Sequence, residues 1–434
     1  VILLLIVLVL VLAAPAEAAP SKPARNFVNS IGVNTHINYG NGVYEPDTAR
    51  VGRLLKKIGI RHIRDGYALY QPWFNQRYEM LDDTYGVKAQ IILDPRGGSV
   101  SDRIRELGEV GAEYVEGLEG PNEPNTAENF MDYPACMGSQ WVHWVIQTMD
   151  EIKAGRDKYF PGVPVVGPSP TNWQAYWCLS DAGLASHEEL GNVHPYPGGY
   201  RPGHPGVFDW HEQATIFHVH NGPFPYEVTE TGYPTAERSP WHQGVTEDIA
   251  AAYAVPLFLE AFSRGVKRTY WYELIDQWYE PAGYYPESHF GLAYWKSSDS
   301  GGNFSLKPAG QTIANAIAIL NEGGTYSGGP NSLDYQAPGV RSVLLRRSDG
   351  RYVIALWQDV DLQDTQERRP VWPPPLPVET KVTLPRDMQV EVYEPRKGPQ
   401  SEYKCHGSTY HSYVNSSGPT FIVVGDLKPQ TLPC

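Results

Sequence analysis

Eight short strand-like runs separated by helix-like patterns constrain the fold of this chain more than any other feature. The runs are Ser30–Thr35, His62–Asp65, Ala89–Leu93, Tyr114–Glu119, Val163–Gly167, Asn192–Pro195, Tyr226–Thr229 and Lys267–Tyr272. Helical patterns cover Pro46–Ile58, Tyr70–Tyr85, Val100–Val110, Gln140–Lys158, His211–Asn221 and Gly244–Arg264, with a short segment near Asp181–Glu189 and a last helix over Lys307–Asn321. Such alternation argues for a parallel sheet with right-handed crossovers. Eight units in about 290 residues fit a closed (β/α)8 TIM barrel better than an open doubly wound sheet. No glycine-rich phosphate loop stands at any of these strand ends, which disfavours a nucleotide-binding role.

The pattern changes after Glu322. Gly323-Gly324 and Ser327-Gly328-Gly329-Pro330 read as a linker. Beyond it lie alternating β-rich runs at Ser342–Arg347, Tyr352–Gln358, Lys381–Leu384, Gln389–Tyr393, Tyr410–Val414 and Thr420–Val424, with no helical pattern. They predict a C-terminal β-sandwich domain. At the other end, Val1 to Leu12 is unbroken apolar sequence followed by Ala13-Ala14-Pro15-Ala16-Glu17-Ala18. This reads as the apolar part of a signal peptide with a small-residue cleavage site. It is shorter than the ~20 apolar residues a membrane span needs. The expected division is therefore a truncated signal peptide (1–18), a (β/α)8 barrel (19–325) and a β-sandwich (326–434), in a secreted chain without membrane attachment once the signal is removed.

The four cysteines, Cys136, Cys178, Cys405 and Cys434, suit disulfides in a secreted protein. Pairing Cys136 with Cys178 and Cys405 with Cys434 keeps each bridge within one expected domain. The net charge of −14 argues against a nucleic-acid partner and against strongly anionic polysaccharides. His, Asp and Glu residues show no metal-ligand spacing, so no metal and no cofactor are expected. A monomer is expected.

Two glutamates stand where a strand stops and a Gly/Pro turn begins. Glu123 lies in Gly120-Pro121-Asn122-Glu123-Pro124 after the fourth strand, and Glu230 opens Glu230-Thr231-Gly232-Tyr233-Pro234 after the seventh. Barrel active sites sit at the C-terminal ends of strands. Two carboxyl groups flanking one bond are what glycosidic cleavage requires, one as acid and one as nucleophile or base. Glu119 rivals Glu123, and Glu227 rivals Glu230. Strand alternation puts Glu227 and Glu230 on opposite faces, so only one of them enters the mouth. A Ser/His/Asp hydrolase is disfavoured by the lack of a Gly-x-Ser-x-Gly turn.

The pair resembles the large clan of retaining glycoside hydrolases with (β/α)8 barrels, whose acid/base and nucleophile glutamates end strands four and seven. Asn122-Glu123-Pro124 is similar to the acid/base motif of cellulase-, mannanase- and xylosidase-type members. Glu230-Thr231-Gly232-Tyr233-Pro234 is similar to the nucleophile motif of plant and fungal β-1,3-glucanases, with Tyr233 where those usually show Trp. The resemblance is thus to the clan rather than to one family. It implies that Glu123 is the acid/base and Glu230 the nucleophile. It further implies that Asn122 bonds the sugar 2-hydroxyl, that Arg64 stands near the nucleophile, that His194 and Tyr196 form the clan's His/Tyr pair, and that Trp271 lines the −1 subsite.

Loop aromatics are expected sugar platforms: Tyr67, Trp73, Trp173, Trp177, Trp210, Trp241 and Trp278, with Tyr233 a further substrate-binding candidate. The reading is a secreted retaining glycoside hydrolase acting on a neutral oligo- or polysaccharide. The alternatives are a transglycosylase using the same glutamates, or a catalytically silent carbohydrate-binding barrel. The β-sandwich is expected to buttress the barrel, since it offers only Trp357 and Trp372 as platforms.

Overall fold

The computed structural model describes residues 19–434 apart from 40–41, 46, 70, 127–139, 206–224, 296–303, 322–331 and 427–431. All eight expected barrel strands form: β1 (Ile31–Asn34), β2 (His62–Gly66), β3 (Lys88–Ile92), β4 (Val115–Glu119), β5 (Val165–Val166), β6 (Gly191–Val193), β7 (Tyr226–Thr231) and β8 (Thr269–Trp271). Their order in the sheet is β5-β4-β3-β2-β1-β8-β7-β6, and every pairing is parallel. A single parallel bridge from Val166 to Leu190 joins the two ends and nearly closes the barrel. Strands buried on both faces need no polar alternation. Accordingly, every residue of β1, β7 and β8 is buried.

The helices that wrap this sheet are α1 (Thr48–Ile58), α2 (Pro72–Tyr85), α3 (Val100–Glu109), α4 (Gln140–Tyr159), α5 (Trp173–Asp181), α6 (Glu247–Ser263) and α7 (Pro308–Asn321). Side-chain caps set several starts: Asp47 accepts the N–H of Arg50, Ser99 that of Asp102, and Thr246 that of Ile249. One expectation is corrected here. The segment near Asp181–Glu189 is not the helix; α5 precedes it. Asn172 caps that helix by accepting the N–H of Ala175, and Gly183 follows its end in the left-handed region at φ 85°. A one-turn 3-10 segment at Leu184–Ser186 is what remains there. The expected helix over His211–Asn221 and the linker at 323–330 lie outside the described residues.

The C-terminal unit is built on β9 (Arg341–Arg346), β10 (Tyr352–Trp357), β11 (Val378–Tyr393), β12 (Ser401–Val414) and β13 (Thr420–Gly425). They form an antiparallel sheet in the order β12-β11-β13-β10-β9. Period-two alternation divides its apolar residues into two sets. Val343, Leu345, Val353, Ala355, Trp357, Phe421 and Val423 join the barrel's core. Leu344, Tyr352, Ile354, Leu356, Ile422 and Val424 form a second core with Val382, Leu384 and Val414, from the part of the long β11–β12 hairpin that overhangs the sheet. The sheet is thus covered on both faces, as in a sandwich. Side chains the size of Val353 and Phe421, both fully buried here, contribute ~1.5–3 kcal/mol each relative to exposure.

Two details depart from the expected layout. Residues 19–23 were placed with the barrel, yet Ala19–Pro20 pairs with Ser332–Leu333 and Lys22–Pro23 pairs with β9. Trp357 is buried against the barrel rather than displayed, whereas Trp372 is fully displayed. A disulfide joins Cys405 to Cys434. Cys136 lies outside the described residues, and so does the expected Cys136–Cys178 bridge. Among the described residues no helix is long and apolar enough to cross a membrane; the apolar run at the start of the chain lies outside them.

Candidate active site

The mouth of the barrel opens into a cleft of about 620 Å³, whose walls include Asn34, His36, Tyr39, Arg64, Arg96, Asn122, Glu123, Tyr196, Glu230, His242, Tyr272 and Phe290. Both candidate glutamates therefore reach the same space, by different local devices.

Glu230 arrives through a bulge. β7 and β8 pair at Val228–Thr269 and next at Thr231–Trp271, so β7 carries one extra residue between the two points. A bulge re-aims the side chain beside it. The alternation expected to separate Glu227 and Glu230 is therefore reset. Glu230 points into the mouth, and Glu227 stays deeper, among Gln90, Arg268, Glu116 and Glu119. Burial raises the Glu227 carboxyl to about 7, against the pull of Arg268.

Glu123 arrives through a strained turn. Its φ of 42° lies in the left-handed region, which costs a residue with a side chain ~1–3 kcal/mol. Neighbouring contacts hold the turn. The Glu123 N–H donates to Ser169 Oγ at 3.2 Å, the Asn122 N–H donates to Asp94 Oδ2 at 3.1 Å, and Arg96 donates to the Asn122 carbonyl. Glu119, its rival, ends β4 four residues earlier and is wholly buried.

Arg64 ties the site together. Its Nη1 donates to Glu230 Oε1 at 2.5 Å and to Asn34 Oδ1 at 2.9 Å. Its Nε and Nη2 grip Glu119 at 2.8 and 2.6 Å, and Nη2 also reaches Asn122 Oδ1 at 2.7 Å. Glu119 accepts further bonds from Gln90 Nε2 at 2.7 Å and Asn192 Nδ2 at 3.0 Å. It acts as the buried anchor that orients the guanidinium. On the other side of Glu230, the Tyr196 hydroxyl donates to Oε2 at 2.8 Å.

His194 stands between the two acids. Thr229 donates its hydroxyl to Asn192 Oδ1 at 2.6 Å, so His194 Nε2 carries a hydrogen toward the Thr229 oxygen at 2.8 Å. The other nitrogen, Nδ1, lies 3.2 Å from Glu123 Oε1 and 3.6 Å from Glu230 Oε2. A carboxylate oxygen from each acid and a ring nitrogen of His194 all lie within 4.8 Å of one another. Among the described residues this is also the one trio with metal-ligand proximity.

The electrostatics of Glu230 follow from these contacts. Burial by itself raises its carboxyl. His194, the Arg64 guanidinium and the Tyr196 hydroxyl outweigh burial and leave it below the ordinary carboxylate value. Arg64 shows the reverse balance: burial lowers it, and Glu119 and Glu230 raise it further than burial takes away. The Tyr196 hydroxyl is pushed well up, by burial first and then by Glu230. Such a tyrosine remains a hydrogen-bond donor throughout the neutral range.

Of the residues singled out from sequence, Arg64, Tyr67, Asn122, Glu123, His194, Tyr196 and Glu230 come together here. Trp73, Trp177 and Trp278, expected as sugar platforms, are exposed but do not line this cleft. Two further candidates are buried away from it. Trp271 was expected to line the −1 subsite, but it is 1% exposed and packs outward on Tyr233 and Phe258, with Nε1 donating to the Phe290 carbonyl. Its successor Tyr272 faces the cleft instead. Tyr233, expected to bind substrate, is also 1% exposed, and its hydroxyl donates to the Tyr200 carbonyl. The side chain of Trp173 and all of Trp210 lie outside the described residues. Sequence reasoning did not single out Asn34, His36, Tyr272, His242 or Phe290. A step of one from Trp271, which alternation turns to the opposite face, was the available signal for Tyr272.

No family model matches the sequence, and no curated protein matches it either. Solved structures do match. The catalytic domain of GH30 xylanase C from Talaromyces cellulolyticus is 10% identical, covers 94% of this chain and 98% of its own, and has a TM-score of 0.53. A glycoside hydrolase family 17 β-1,3-glucanosyltransferase from Rhizomucor miehei is 14% identical over 62% of this chain and 94% of its own, at a TM-score of 0.44. A β-glucuronidase from Bacteroides uniformis is 14% identical over 89% of this chain, but this covers 42% of that protein, at a TM-score of 0.43. The first of the three carries the fold comparison: the chain shares a (β/α)8 barrel with an attached β-domain with that xylanase.

Proposed function

We propose that this chain is a secreted retaining glycoside hydrolase that cleaves a neutral polysaccharide or glycan by double displacement. The observation that carries this reading is the approach of the Glu123 and Glu230 oxygens to within 4.8 Å across one cleft. Retaining enzymes hold their two carboxyl groups ~5–5.5 Å apart, and inverting enzymes need ~6.5–9.5 Å to admit a water. Secretion is supported by the signal-like run at 1–18 and by the Cys405–Cys434 disulfide, a bond typical of oxidising compartments.

The unequal surroundings of the two acids suit a division of labour. Glu230, held ionised by Arg64 and Tyr196, attacks the anomeric carbon and forms a glycosyl ester. As the glycosidic C–O bond breaks, Glu123 passes its proton to the leaving oxygen. Glu123, now a carboxylate, then takes a proton from water, and that water's oxygen attacks the anomeric carbon and frees Glu230. Asn122, held by Arg64 and Asp94, stands beside the sugar to bond its 2-hydroxyl. The preference for neutral sugar rests on the arginines of the wall, which are already engaged. Arg64 holds Glu119 and Glu230, Arg96 holds Asp94, and Arg103 donates to the carbonyls of Tyr67, Asp94 and Gly98.

A panel of activated aryl glycosides and neutral oligo- and polysaccharides, with product analysis, tests the reading. Hydrolysis of at least one class is expected. Products longer than the substrate would redirect it to glycosyl transfer. Binding without any turnover across the panel would contradict it in favour of a silent carbohydrate-binding barrel.

A further inference from the structure

Among the described residues two non-glycine residues have φ in the left-handed region. One is Glu123, and the other is Arg368 in the C-terminal domain, at φ 52°. Glycine adopts that conformation freely and arginine does not. An observed outlier of this kind invites a search for what the side chain does. Arg368 lies at the tip of an arm that leaves the sandwich after β10 and returns along Arg369–Pro370, which pairs with Gln363–Asp364. Its Nη1 donates to the Ser239 carbonyl of the barrel at 2.7 Å.

The rest of the arm is anchored to the barrel as well. Arg201 binds Asp359 through Nε at 2.6 Å, and its N–H donates to Asp361 Oδ1 at 2.8 Å. The Leu362 N–H donates to the Tyr253 hydroxyl at 2.5 Å. Gln363 Nε2 donates to the Gly244 carbonyl at 2.8 Å in a buried bond, and Gln243 Nε2 donates to the Thr365 carbonyl at 3.2 Å. Side chain and arm close tightly over Gly199, where a Cβ would meet Gln243 Nε2 at 2.8 Å and Gln363 Cγ at 3.2 Å. The arm therefore clamps both ends of one barrel loop, Ser239 to Gly244, which follows β7.

That loop divides its two aromatic rings. Ser239 Oγ accepts the N–H groups of Trp241 and His242 at 3.3 and 3.2 Å. His242 turns into the cleft, 4.9 Å from the ring of Tyr196 and 5.5 Å from Phe290. Trp241 turns outward and is 71% exposed. It stands 5.7 Å from the ring of Tyr285, itself 49% exposed. Tyr285 comes from the loop after β8, where the Glu280 carboxylate gathers the N–H groups of Ala282, Gly283, Tyr284 and Tyr285. So exposed a tryptophan gains little from burial, yet two loops are separately pinned to hold this pair in place.

We propose that Trp241 and Tyr285 form a platform for an extended neutral glycan at the rim of the cleft, and that the C-terminal arm, through Arg368 and Gln363, is what positions it. This rests on the glycosidase reading and adds to it a preference for long substrates. Continuity with the cleft argues for a glycan as the occupant: His242 and Glu287, the near neighbours of the pair, both line the cleft wall. Two rigid apolar faces meet the C–H faces of successive sugar rings, and the nearby Glu280 and Glu287 disfavour an anionic chain. The arm gives the sandwich a part in substrate choice without itself touching sugar.

The test compares kcat/KM on oligosaccharides of increasing length with kcat/KM on a single-sugar aryl glycoside, both drawn from the class the panel identifies. Trp241→Ala and Arg368→Gly are measured beside the wild type. In wild type the ratio of long to short substrate exceeds one. Trp241→Ala is expected to cut that ratio about tenfold, mostly through KM, the scale of one lost aromatic anchor. Arg368→Gly suits the left-handed backbone, so its melting temperature is expected to stay at or above that of wild type while the ratio falls in the same direction. An unchanged ratio in Trp241→Ala overturns the platform. A lowered ratio in Trp241→Ala with an unchanged one in Arg368→Gly overturns the role of the arm. Wild-type turnover of the aryl glycoside reports on the glycosidase reading separately, so the two failures are distinguishable.

Discussion

Replacing Glu230 with glutamine is expected to reduce turnover below about a hundredth of wild type on every substrate, because an amide cannot form the glycosyl ester. The fold is expected to survive. Arg64 loses one partner but keeps the two-pronged grip of Glu119 and its bond to Asn34, so no buried charge is left alone. The informative companion is Glu227→Gln. That carboxyl is buried and sits near 7 through desolvation, so a neutral amide of the same shape is expected to leave turnover largely intact. Steady-state kinetics with matched circular dichroism spectra checks both. A Glu230→Gln enzyme retaining more than a few percent of wild-type activity, or a Glu227→Gln enzyme that is dead yet folded, would reverse the assignment of the two acids.

Replacing Glu123 with alanine is expected to give a different signature. Loss of a general acid costs ~10²–10⁴-fold where the leaving group needs a proton, and far less where it does not. Natural glycosides are therefore expected to suffer much more than aryl glycosides with acidic phenols. Azide is expected to restore turnover of the activated substrates by attacking the glycosyl-enzyme, and to yield a glycosyl azide. The substitution also removes a side chain from a left-handed backbone position at φ 42°; alanine keeps the Cβ, so the strain there is largely unchanged. Equal losses for good and poor leaving groups, with no azide product, would show that Glu123 is not the proton donor.

The barrel strands were legible because each is a buried apolar run bounded by turn residues, and all eight formed within a few residues of expectation. The features that were not legible depend on partners distant in sequence. The bulge in β7 exists only relative to β8, so strict alternation along Tyr226–Thr231 misjudged how Glu227 and Glu230 share the barrel's interior. The same blindness applies to Trp271. The resemblance implied a place in the −1 subsite, yet Trp271 is buried against Phe258 and Tyr233, and Tyr272 faces the cleft. Pairing of Lys22–Pro23 with β9 joins residues more than three hundred positions apart, and nothing local announces it. Asn172 as a helix cap was available to local reading, and placing a helix start at Asp181 overlooked it. Arg64 and Tyr196 were suggested by resemblance alone. The grip of Glu119 on Arg64 was beyond reach, because it depends on the register of β2 against β3 and β4.

The stereochemical course of the reaction tests the central claim most directly. Proton NMR of a reaction followed from its first minutes resolves the anomer released by the enzyme before mutarotation mixes it with the other. One oxygen of Glu123 and one of Glu230 lie within 4.8 Å of each other, nearer the ~5–5.5 Å separation of retaining enzymes than the ~6.5–9.5 Å of inverting ones. The account predicts that the first-formed sugar has the same anomeric configuration as the substrate. First release of the opposite anomer would contradict it.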